Sequence, residues 1–444
     1  MKNRKLKSGF VKRGQSFFLL SFVFLIAAGA LLLKLPFMYR GELEWTDALF
    51  VATSAVCVTG LSTVQMTDFT IFGQLAILVL IQLGGLGIMT LSASILLAVG
   101  RGLSFSDALL VSNLNDGFSL RGTESLLRTI VTYTFSVEAA GFLLMLPGML
   151  SAASFRSFGD FGADIWKALF LSISSFCNAG FSPVTGSLAQ VGRWTQFASL
   201  LLMVTGGIGF YVVYDLRQLI RRQRRTLHVH TKLVLWTTAI LLISGAVGVW
   251  TFCWADGKTI EWFDACFFSA TARTCGFCTC PTEKLSGTAQ SLLVFLMLIG
   301  GAPGGTAGGI KVSTVALVFA AILSVLRGDS EVLLFNRRIP TMNVLRAFTI
   351  ILIFTLLGGV GAIFLQTREP HMELFDIAFE AISALTTTGL SIGDTTAKLS
   401  ADGKLFLVFF MFLGRVGPFT VLLFLLGREK HTPIQYTEER IIIG

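Results

Sequence analysis

Long apolar segments alternate with short ones along the chain, and this alternation most restricts what the sequence can fold into. A hydrocarbon core of about 30 Å needs about 20 helical residues to cross it, and runs of roughly 10–14 residues are too short. The long segments occupy residues 16–36, 71–99, 125–150, 194–220, 232–254, 287–326, 344–366 and 403–427. A short apolar stretch lies within each consecutive pair, at 46–57, 164–176, 261–273 and 373–386. The order long, short, long therefore occurs four times, which predicts an internal repeat.

The composition is that of a chain with little surface in water. Of its 444 residues, 53% are hydrophobic and 14% are charged, whereas a soluble domain carries about 25% charged residues. The net charge of +9 could indicate nucleic-acid binding. The basic residues cluster between apolar segments, however, as they do in loops that set the orientation of membrane proteins. We therefore expect contact with membrane lipid and no nucleic-acid partner.

The short stretches also share a sequence pattern. They contain WTDALF at 45–50, WKALF at 166–170, WFDACF at 262–267 and LFDIAF at 374–379. The interval from the last Phe of each motif to the next Gly is ten residues in three copies and nine in the third. Such agreement at four sites is not expected by chance. Each stretch leads into a turn with Gly: Val58-Thr59-Gly60, Asn178-Ala179-Gly180, Thr274-Cys275-Gly276 and Thr387-Thr388-Gly389.

Four such turns in one chain predict a ring around a common axis. Non-helical backbone at membrane depth is tolerated only where it is buried in protein or lines a wet cavity. Main-chain carbonyl groups aimed at the axis can replace the hydration shell of an alkali cation, and Gly reaches the backbone angles that this requires. The negative C-terminal end of each short helix would also favour a cation. A helix C-cap explains any single Gly here, but not four at matched offsets.

The expected fold is an all-α membrane protein with four helix–pore-loop–helix repeats in a pseudo-fourfold arrangement around a central ion pore. It has eight long membrane segments and four re-entrant pore helices. Loops 1–13, 100–123, 215–232, 327–346 and 427–444 hold 21 Lys and Arg residues, against ten in the other loops. The positive-inside rule then places both termini in the cytoplasm of a multi-pass cell-membrane protein. The expected units are an N-terminal tail (1–15), repeats at 16–99, 124–222, 231–326 and 341–427, and a C-terminal tail (428–444).

These features resemble the membrane subunit of Ktr potassium-uptake systems, in the Trk/Ktr/HKT superfamily, over residues 16–427. Eight long segments match the Ktr type, since Trk relatives carry extra N-terminal helices. The resemblance implies one filter glycine per loop, with the transported K⁺ bound at these loops and no cofactor held by the chain. The two residues before each glycine would line the ion path. The implied filter residues are Val58, Thr59, Gly60, Asn178, Ala179, Gly180, Thr274, Cys275, Gly276, Thr387, Thr388 and Gly389.

This sequence departs from the family at a few filter positions. Val58 stands where many relatives have Thr or Ser, which leaves the preference between Na⁺ and K⁺ open. Cysteines in or next to the loops could make transport sensitive to thiol reagents. Cys275, Cys278 and Cys280 form a local cluster that a disulfide or a metal could use. The cluster lacks a second ligand pair, so it is a weak indication of either.

A glycine-rich stretch after the third filter turn also matches the family. Residues 300–311 read GGAPGGTAGGIK, a composition that cannot hold a regular helix. The alternative explanation of such a stretch is a kink for close helix packing. The family counterpart is an intramembrane loop below the filter that acts as a gate. The gating residues implied by this resemblance are Gly304, Gly305, Thr306, Ala307, Gly308, Gly309, Lys311 and Arg415.

Arg415 lies deep inside the last long segment. A charge there costs at least about 2.5–3.5 kcal/mol on insertion scales, so its side chain should face polar surroundings. In the family the matching Arg lies in the pore beneath the filter. The alternative is an Arg that reaches back to the membrane interface.

The expected function is K⁺ uptake without enzyme activity, with Na⁺ dependence left open. The resemblance implies a homodimer and a cytoplasmic ring of nucleotide-binding RCK subunits that docks on the basic loops, although such loops also occur simply as orientation signals. One alternative is a secondary transporter with a broken-helix substrate site at 300–311, which predicts two inverted repeats. Another is a membrane enzyme, which needs convergent His or carboxylate groups. His228, His230, His371 and His431 do not converge in sequence.

Overall fold

The computed structural model describes residues 19–87, 123–152, 158–329, 331–418 and 421–422. The predicted tails at 1–15 and 428–444, the end of the 71–99 segment and His431 lie outside these residues. Repeat 1 contains α1 (Leu19–Leu33), α2 (Trp45–Cys57) and α3 (Ile71–Leu86). Repeat 2 contains α4 (Thr123–Ala152), α5 (Phe158–Phe176), α6 (Arg193–Gly207) and α7 (Phe210–Ile220).

Repeat 3 contains α8 (Val229–Ala255), α9 (Trp262–Thr271), α10 (Gly287–Leu298) and α11 (Val312–Arg327). A small antiparallel hairpin, β1 (Leu333–Leu334) and β2 (Arg337–Arg338), follows it. Repeat 4 contains α12 (Thr341–Arg368), α13 (Leu374–Leu385), the short α14 (Thr395–Lys398) and α15 (Ala401–Val416). The mostly helical architecture predicted from the sequence is confirmed. Helices α2, α5, α9 and α13 correspond to the predicted pore helices, although α5 is longer than predicted and begins at Phe158 instead of residue 164.

The second long segment is interrupted in every repeat: in repeat 3 at the glycine-rich stretch, as the sequence predicted, and in repeats 1, 2 and 4 where the sequence predicted one continuous segment. Among the described residues, three helices are long and apolar enough to cross a membrane: α4, α8 and α12. A fourth crossing is possible if α6 and α7 form one span, which bends by 90° between them. Residues 299–311 separate α10 from α11, and α15 ends at Val416. The described part of the 71–99 segment is helical only as far as Leu86.

Glycine causes three of these interruptions. Gly87, Gly209 and Gly417 have φ of 77°, 93° and 90°, a region that residues with a Cβ rarely adopt. Three positions earlier, Gly84, Gly206 and Gly414 lie against the carbonyl oxygens of Val56, Phe176 and Leu385, at the ends of pore helices, where a Cβ would overlap. In this Gly-x-x-Gly pattern, the first glycine lets the long helix approach the end of the pore helix closely, and the second glycine ends the long helix.

Polar contacts join the repeats into a closed ring. Lys404 Nζ lies 2.7 Å from Asp47 Oδ1, which joins repeat 4 to repeat 1. Trp166 Nε1 donates to Gln74 Oε1 at 2.7 Å, between repeats 2 and 1. The remaining two junctions are formed by Arg193 Nη2 with Asp264 Oδ2 (3.1 Å) and by the Thr282 hydroxyl with the Ser391 carbonyl (2.8 Å). The four repeats thus follow one another around one axis.

Candidate ion pathway

The four predicted filter glycines face one another in a closed ring. A Cβ on Gly60 would lie 2.6 Å from the Ala179 carbonyl oxygen, and a Cβ on Gly276 would lie 2.7 Å from that of Thr388. A Cβ on Gly180 would likewise overlap the Cys275 carbonyl oxygen, and a Cβ on Gly389 would overlap the Thr59 carbonyl oxygen. Each glycine thus approaches the residue that precedes the next glycine, and the series returns to Gly60. All four loops come together at one place.

The four loops have the same backbone conformation. The residue two positions before each glycine is left-handed: φ is 57° at Val58, 57° at Asn178, 72° at Thr274 and 52° at Thr387. The glycines follow with φ of 95°, 72°, 85° and 85°. A left-handed residue with a side chain costs on the order of 1–3 kcal/mol and persists only where the surroundings fix it. The shared conformation therefore requires contacts that hold each loop.

Hydroxyl residues near the ends of the pore helices provide these contacts. Main-chain N–H groups of Thr59, Ala179 and Thr388 each donate at 2.8 Å to the carbonyls of Ser54, Ser174 and Ser383. In the third loop, Cys275 donates to the Thr271 carbonyl at 2.9 Å. The side chains add a second bond, as Ser54 Oγ accepts from Gly60 N at 3.1 Å and Thr271 Oγ1 donates to the Phe277 carbonyl at 2.8 Å. Sequence reasoning missed these residues, although a hydroxyl at a nearly fixed offset before each glycine was visible.

The missing residue of the third copy lies in the last turn of its pore helix. Three residues separate Ser54 from Val58, and only Ala272 and Arg273 separate Thr271 from Thr274. The left-handed residue and the glycine nevertheless keep the geometry of the other loops. The buried Arg273 lies at this shortened turn, with Nη2 3.4 Å from Thr238 Oγ1 and 3.5 Å from the Gly300 carbonyl.

The ring offers oxygen atoms and no charged side chains. The Thr59, Thr274, Thr387 and Thr388 side chains are fully buried, and the hydroxyls of Thr59 and Thr387 have no hydrogen-bond partner in the described part of the chain. Four pore helices end at the ring, and their C-terminal ends carry partial negative charge. This environment suits a desolvated alkali cation, which takes oxygen ligands and needs no anionic side chain.

A cavity of about 230 Å³ adjoins the ring beside Gly60 and Gly180. Hydroxyl residues line it, among them Ser62, Thr67 and Ser182, together with Phe181. None of the described residues that line it is charged. It therefore adjoins the ring through an uncharged space walled by hydroxyl and apolar side chains.

Residues 299–311 form a loop closed at its base, which we call the intramembrane loop. Gly300 N donates to the Ile310 carbonyl at 2.9 Å, and Ile310 N donates to the Leu298 carbonyl at 3.1 Å. Val312 N bonds the Gly301 carbonyl at 3.0 Å. These bonds bring the ends of α10 and α11 together, so that the residues between them project as a compact loop.

The intramembrane loop contacts the filter loops directly. Asn178 Nδ2 donates to Thr306 Oγ1 at 3.0 Å, and this hydroxyl donates to the Phe176 carbonyl at 3.2 Å. Gly308 N donates to Thr274 Oγ1 at 3.1 Å, and the Gly308 Cα lies beside the Thr387 side chain. Three of the four left-handed residues thus contact the loop through polar side chains. The fourth, Val58, is apolar.

Two cationic side chains bind main-chain carbonyls of the loop. Arg415 Nη1 donates to the Thr306 carbonyl at 2.6 Å, and its Nη2 donates to the carbonyls of Gly84 and Gly85. Lys311 Nζ donates to the Ala307 carbonyl at 2.7 Å. Neither has an acidic partner among the described residues. The Arg415 guanidinium group therefore lies in the interior of the protein, and both charges would repel any cation on this side of the ring.

The break between α6 and α7 holds the other side of the loop. Ala302 N donates to the Gly207 carbonyl at 2.9 Å, and Phe210 N donates to the Gly304 carbonyl at 3.0 Å. A Cβ on Gly305 would lie 3.2 Å from the Gly206 carbonyl oxygen, so the loop packs closely against this break. The predicted gating residues are therefore gathered between the filter loops, Arg415 and the start of α7.

The cysteine cluster holds neither a disulfide nor a metal-binding group. All seven cysteines are free. The described residues contain no group of three His, Cys, Asp or Glu side chains that could hold a metal ion.

Comparison with known proteins identifies relatives of the whole chain. The family model TrkH, described as "Cation transport protein", matches residues 21–431. The Ktr system potassium uptake protein B of Vibrio alginolyticus is 36% identical, over 96% of this chain and 94% of the relative. The protein of the same name from Bacillus subtilis is 31% identical, over 96% and 95%. The potassium/sodium uptake protein NtpJ of Enterococcus hirae is 33% identical over 95% of each chain.

A solved structure has the same fold. The crystal structure of the potassium transporter TrkH from Vibrio parahaemolyticus superposes with a TM-score of 0.70 at 17% identity, covering 94% of this chain and 85% of that one.

Proposed function

This chain belongs to the TrkH family of cation transport proteins, and on that premise we propose that it takes up K⁺ through the ring at Gly60, Gly180, Gly276 and Gly389. The observation that carries the proposal is the ring itself, in which four loops of one chain share a backbone conformation and close on one another. Main-chain oxygens of residues 58–60, 178–180, 274–276 and 387–389 would replace the water around the ion. The relatives are named for uptake and not for enzyme activity.

The intramembrane loop is the proposed gate. In the conformation described here it contacts three of the four filter loops, and two cationic side chains bind its carbonyls. A cation that leaves the ring would meet the loop and these charges. Passage then requires residues 304–309 to move away from Asn178 and Thr274.

The surroundings of the pore are proposed from the family resemblance. We infer that both termini are cytoplasmic and that the repeats extend over 16–99, 124–222, 231–326 and 341–427. A homodimer with a cytoplasmic RCK-type subunit is the proposed assembly, supported by the term "Ktr system" in the relatives' names. Coupling to Na⁺ belongs to the same proposal, since one relative is named a potassium/sodium uptake protein. The same glycine break occurs in repeats 1, 2 and 4, at Gly87, Gly209 and Gly417. This recurrence supports a pore of four similar repeats over a transporter of two inverted halves.

Ion uptake by a Gly60→Ser variant tests the filter. The serine Cβ would be strained at φ 95° and would lie 2.6 Å from the Ala179 carbonyl oxygen. We expect weaker discrimination of K⁺ and Rb⁺ from Na⁺, measured as uptake of each ion in cells that lack their own K⁺ transport. Gly359→Ser is the matched control, because a Cβ at Gly359 meets no atom within 4 Å. Unchanged ion preference in Gly60→Ser at normal expression would refute Gly60 as a filter residue.

A further inference from the structure

A polar cavity of about 420 Å³ lies between the start of α4 and the side of α7, away from the filter. Every side chain that lines it is polar or charged, including three arginines (Arg128, Arg217 and Arg221) and the hydroxyls of Ser125 and Thr129. Its volume is within the range of about 300–1,000 Å³ typical of small-molecule sites. An exclusively polar lining indicates a charged or strongly polar ligand.

Among the described residues that line the cavity, positive charges outnumber negative ones. The carboxylate of Glu124 pairs with Arg128 at 2.8 Å. Arg217 Nη1 donates to the neutral Thr129 hydroxyl at 3.0 Å. Arg221 has no ion-pair partner in the part of the chain that the structure describes. The guanidinium groups of Arg217 and Arg221 can therefore bind an anion, and guanidinium matches the geometry of phosphate oxygens.

The position of the cavity along the membrane-crossing helix α4 further limits which ligands could reach it. The apolar span of α4 runs from Glu124 to Leu150, so the cavity lies within the first two turns of the span. This is the depth at which lipid headgroups lie. Basic pockets between transmembrane helices bind anionic headgroups in this way. We propose that this cavity binds a phosphate group, carried by an anionic phospholipid or by a soluble phosphate compound.

A bound phosphate would strengthen a connection between two elements that the Arg217–Thr129 hydrogen bond already joins. Arg128 lies in α4, Arg217 lies in α7, and Arg221 directly follows α7. The first residue of α7, Phe210, donates to the Gly304 carbonyl of the intramembrane loop. The ligand would therefore fix the helix that holds one side of the loop. This consequence rests on the proposed gate, whereas the binding site does not.

Lipid binding to the purified full chain in detergent tests the site. The probes are phosphatidylglycerol, phosphatidylcholine and inorganic phosphate, and the readouts are native mass spectrometry and the shift in Tm. We expect phosphatidylglycerol to bind at least about tenfold more tightly than phosphatidylcholine. Arg217→Gln/Arg221→Gln should lose about tenfold or more of that affinity, since charge-assisted hydrogen bonds are roughly twice as strong as neutral ones. The matched control is Arg337→Gln/Arg338→Gln, which removes the same charge from the exposed strand β2.

The result distinguishes the two sources of phosphate. An Arg217- and Arg221-dependent shift with phosphatidylglycerol alone assigns the site to a lipid, and the same shift with inorganic phosphate assigns it to a soluble ligand. Equal binding by parent and variant would overturn the proposal, as would an equal loss in the control pair. If the double variant does not fold, the single variant Arg221→Gln, altered at an exposed side chain, gives the same test. None of these readouts requires K⁺ uptake, so a failed ion pathway would not affect them.

Discussion

Single hydroxyl groups hold the filter loops in a conformation that their own residues do not favour. Ser54 and Ser383 each accept a bond from the following filter glycine at 3.1 Å. The Gly389 N–H is buried and the Gly60 N–H is partly buried, so removal of the acceptor leaves each without a partner, which costs about 1–3 kcal/mol per fully buried group. The loops would then relax toward ordinary backbone angles. If the ring is the filter that we propose, its stability and its ion preference depend on the same few oxygen atoms.

We predict that Ser54→Ala lowers both thermal stability and the preference for K⁺ over Na⁺. The lost bond is worth about 1–3 kcal/mol, which a thermal unfolding scan in detergent detects, and parallel uptake of Rb⁺ and Na⁺ reports the selectivity. Ser291→Ala is the control, because the Ser291 hydroxyl bonds only the Gly287 carbonyl of its own helix. Selectivity that stays normal in Ser54→Ala would show that the loop does not need this bond.

We expect the Thr306 hydroxyl to limit the rate of K⁺ uptake. Its bonds to Asn178 and Phe176 tie the intramembrane loop to a filter loop. We predict that Thr306→Val, which keeps the shape and removes the hydroxyl, raises the initial rate of K⁺ uptake about 2- to 10-fold, equivalent to a bond of about 0.5–1.5 kcal/mol. Thr306→Ser keeps the hydroxyl and should retain the parent rate. Equal rates for the valine and serine variants would contradict this role.

Cys280 lies outside the membrane-spanning helices and should react slowly with thiol reagents. Burial is the main cause that raises the pKa of its thiol to about 11, from an ordinary value of 9.0. Only the thiolate is nucleophilic, so at pH 8 the reactive fraction falls by roughly 100-fold relative to an ordinary thiol. Mass spectrometry after timed iodoacetamide treatment, with free glutathione as the reference, measures the rate. Labelling as fast as glutathione would contradict a partly buried, neutral thiol.

Among the elements, the intramembrane loop has a construction that lets it move without disturbing its flanking helices. The bonds at its base involve residues 298–301, 310 and 312, whereas the contacts to the filter involve Thr306 and Gly308. The middle of the loop is glycine-rich, so changes of its backbone angles meet few steric barriers. The base can therefore stay intact while the middle changes position.

We predict that deletion of residues 304–309 raises K⁺ flux. The deletion spares the bonds at the base and removes the part that contacts the filter loops. The measurement is the initial rate of uptake at matched surface expression, with Gly359→Ser as a variant that should keep the parent rate. A rate equal to or below that of the parent would remove the gate from the proposal.

The sequence predicted some elements correctly and missed others, and individual residues explain the difference. Pore helices and glycine turns were found because their pattern recurs four times. The helix breaks were missed because glycine is common in membrane helices, so Gly87, Gly209 and Gly417 looked like ordinary packing positions. The partners of Arg415 are main-chain oxygens from repeats 1 and 3, and no spacing of residue types along the chain identifies such acceptors.

At the scale of the whole molecule, the ring depends on contacts between repeats that are distant in sequence. Lys404 and Asp47 are separated by 357 positions, and their side chains are only 13% and 11% exposed. Their ion pair joins the last helix to the first pore helix. Since a partly buried charge without its partner is strongly unfavourable, this pair helps to fix the closure of the ring.

We predict that Lys404→Met destabilises the protein by up to about 3 kcal/mol, because it leaves Asp47 unpaired. The double variant Asp47→Asn/Lys404→Met should recover part of this loss. Thermal unfolding in detergent measures both. Arg368→Ala is the control, since the Arg368–Asp402 pair is 52% and 68% exposed and should contribute little. Additive losses in the double variant would show that the two side chains do not act as a pair.

The apolar Val58 among three polar counterparts has a consequence for how such a pore can evolve. In a homotetramer, one codon change alters all four quadrants at once, so no quadrant can specialise. Here each quadrant has its own codons: Asn178 and Thr274 hydrogen-bond the intramembrane loop, and Thr387 lies beside Gly308. The fourth counterpart, Val58, has an apolar side chain that offers the loop no hydrogen bond. A single chain with four repeats can therefore combine a ring of nearly symmetric backbone with asymmetric side-chain contacts to the intramembrane loop.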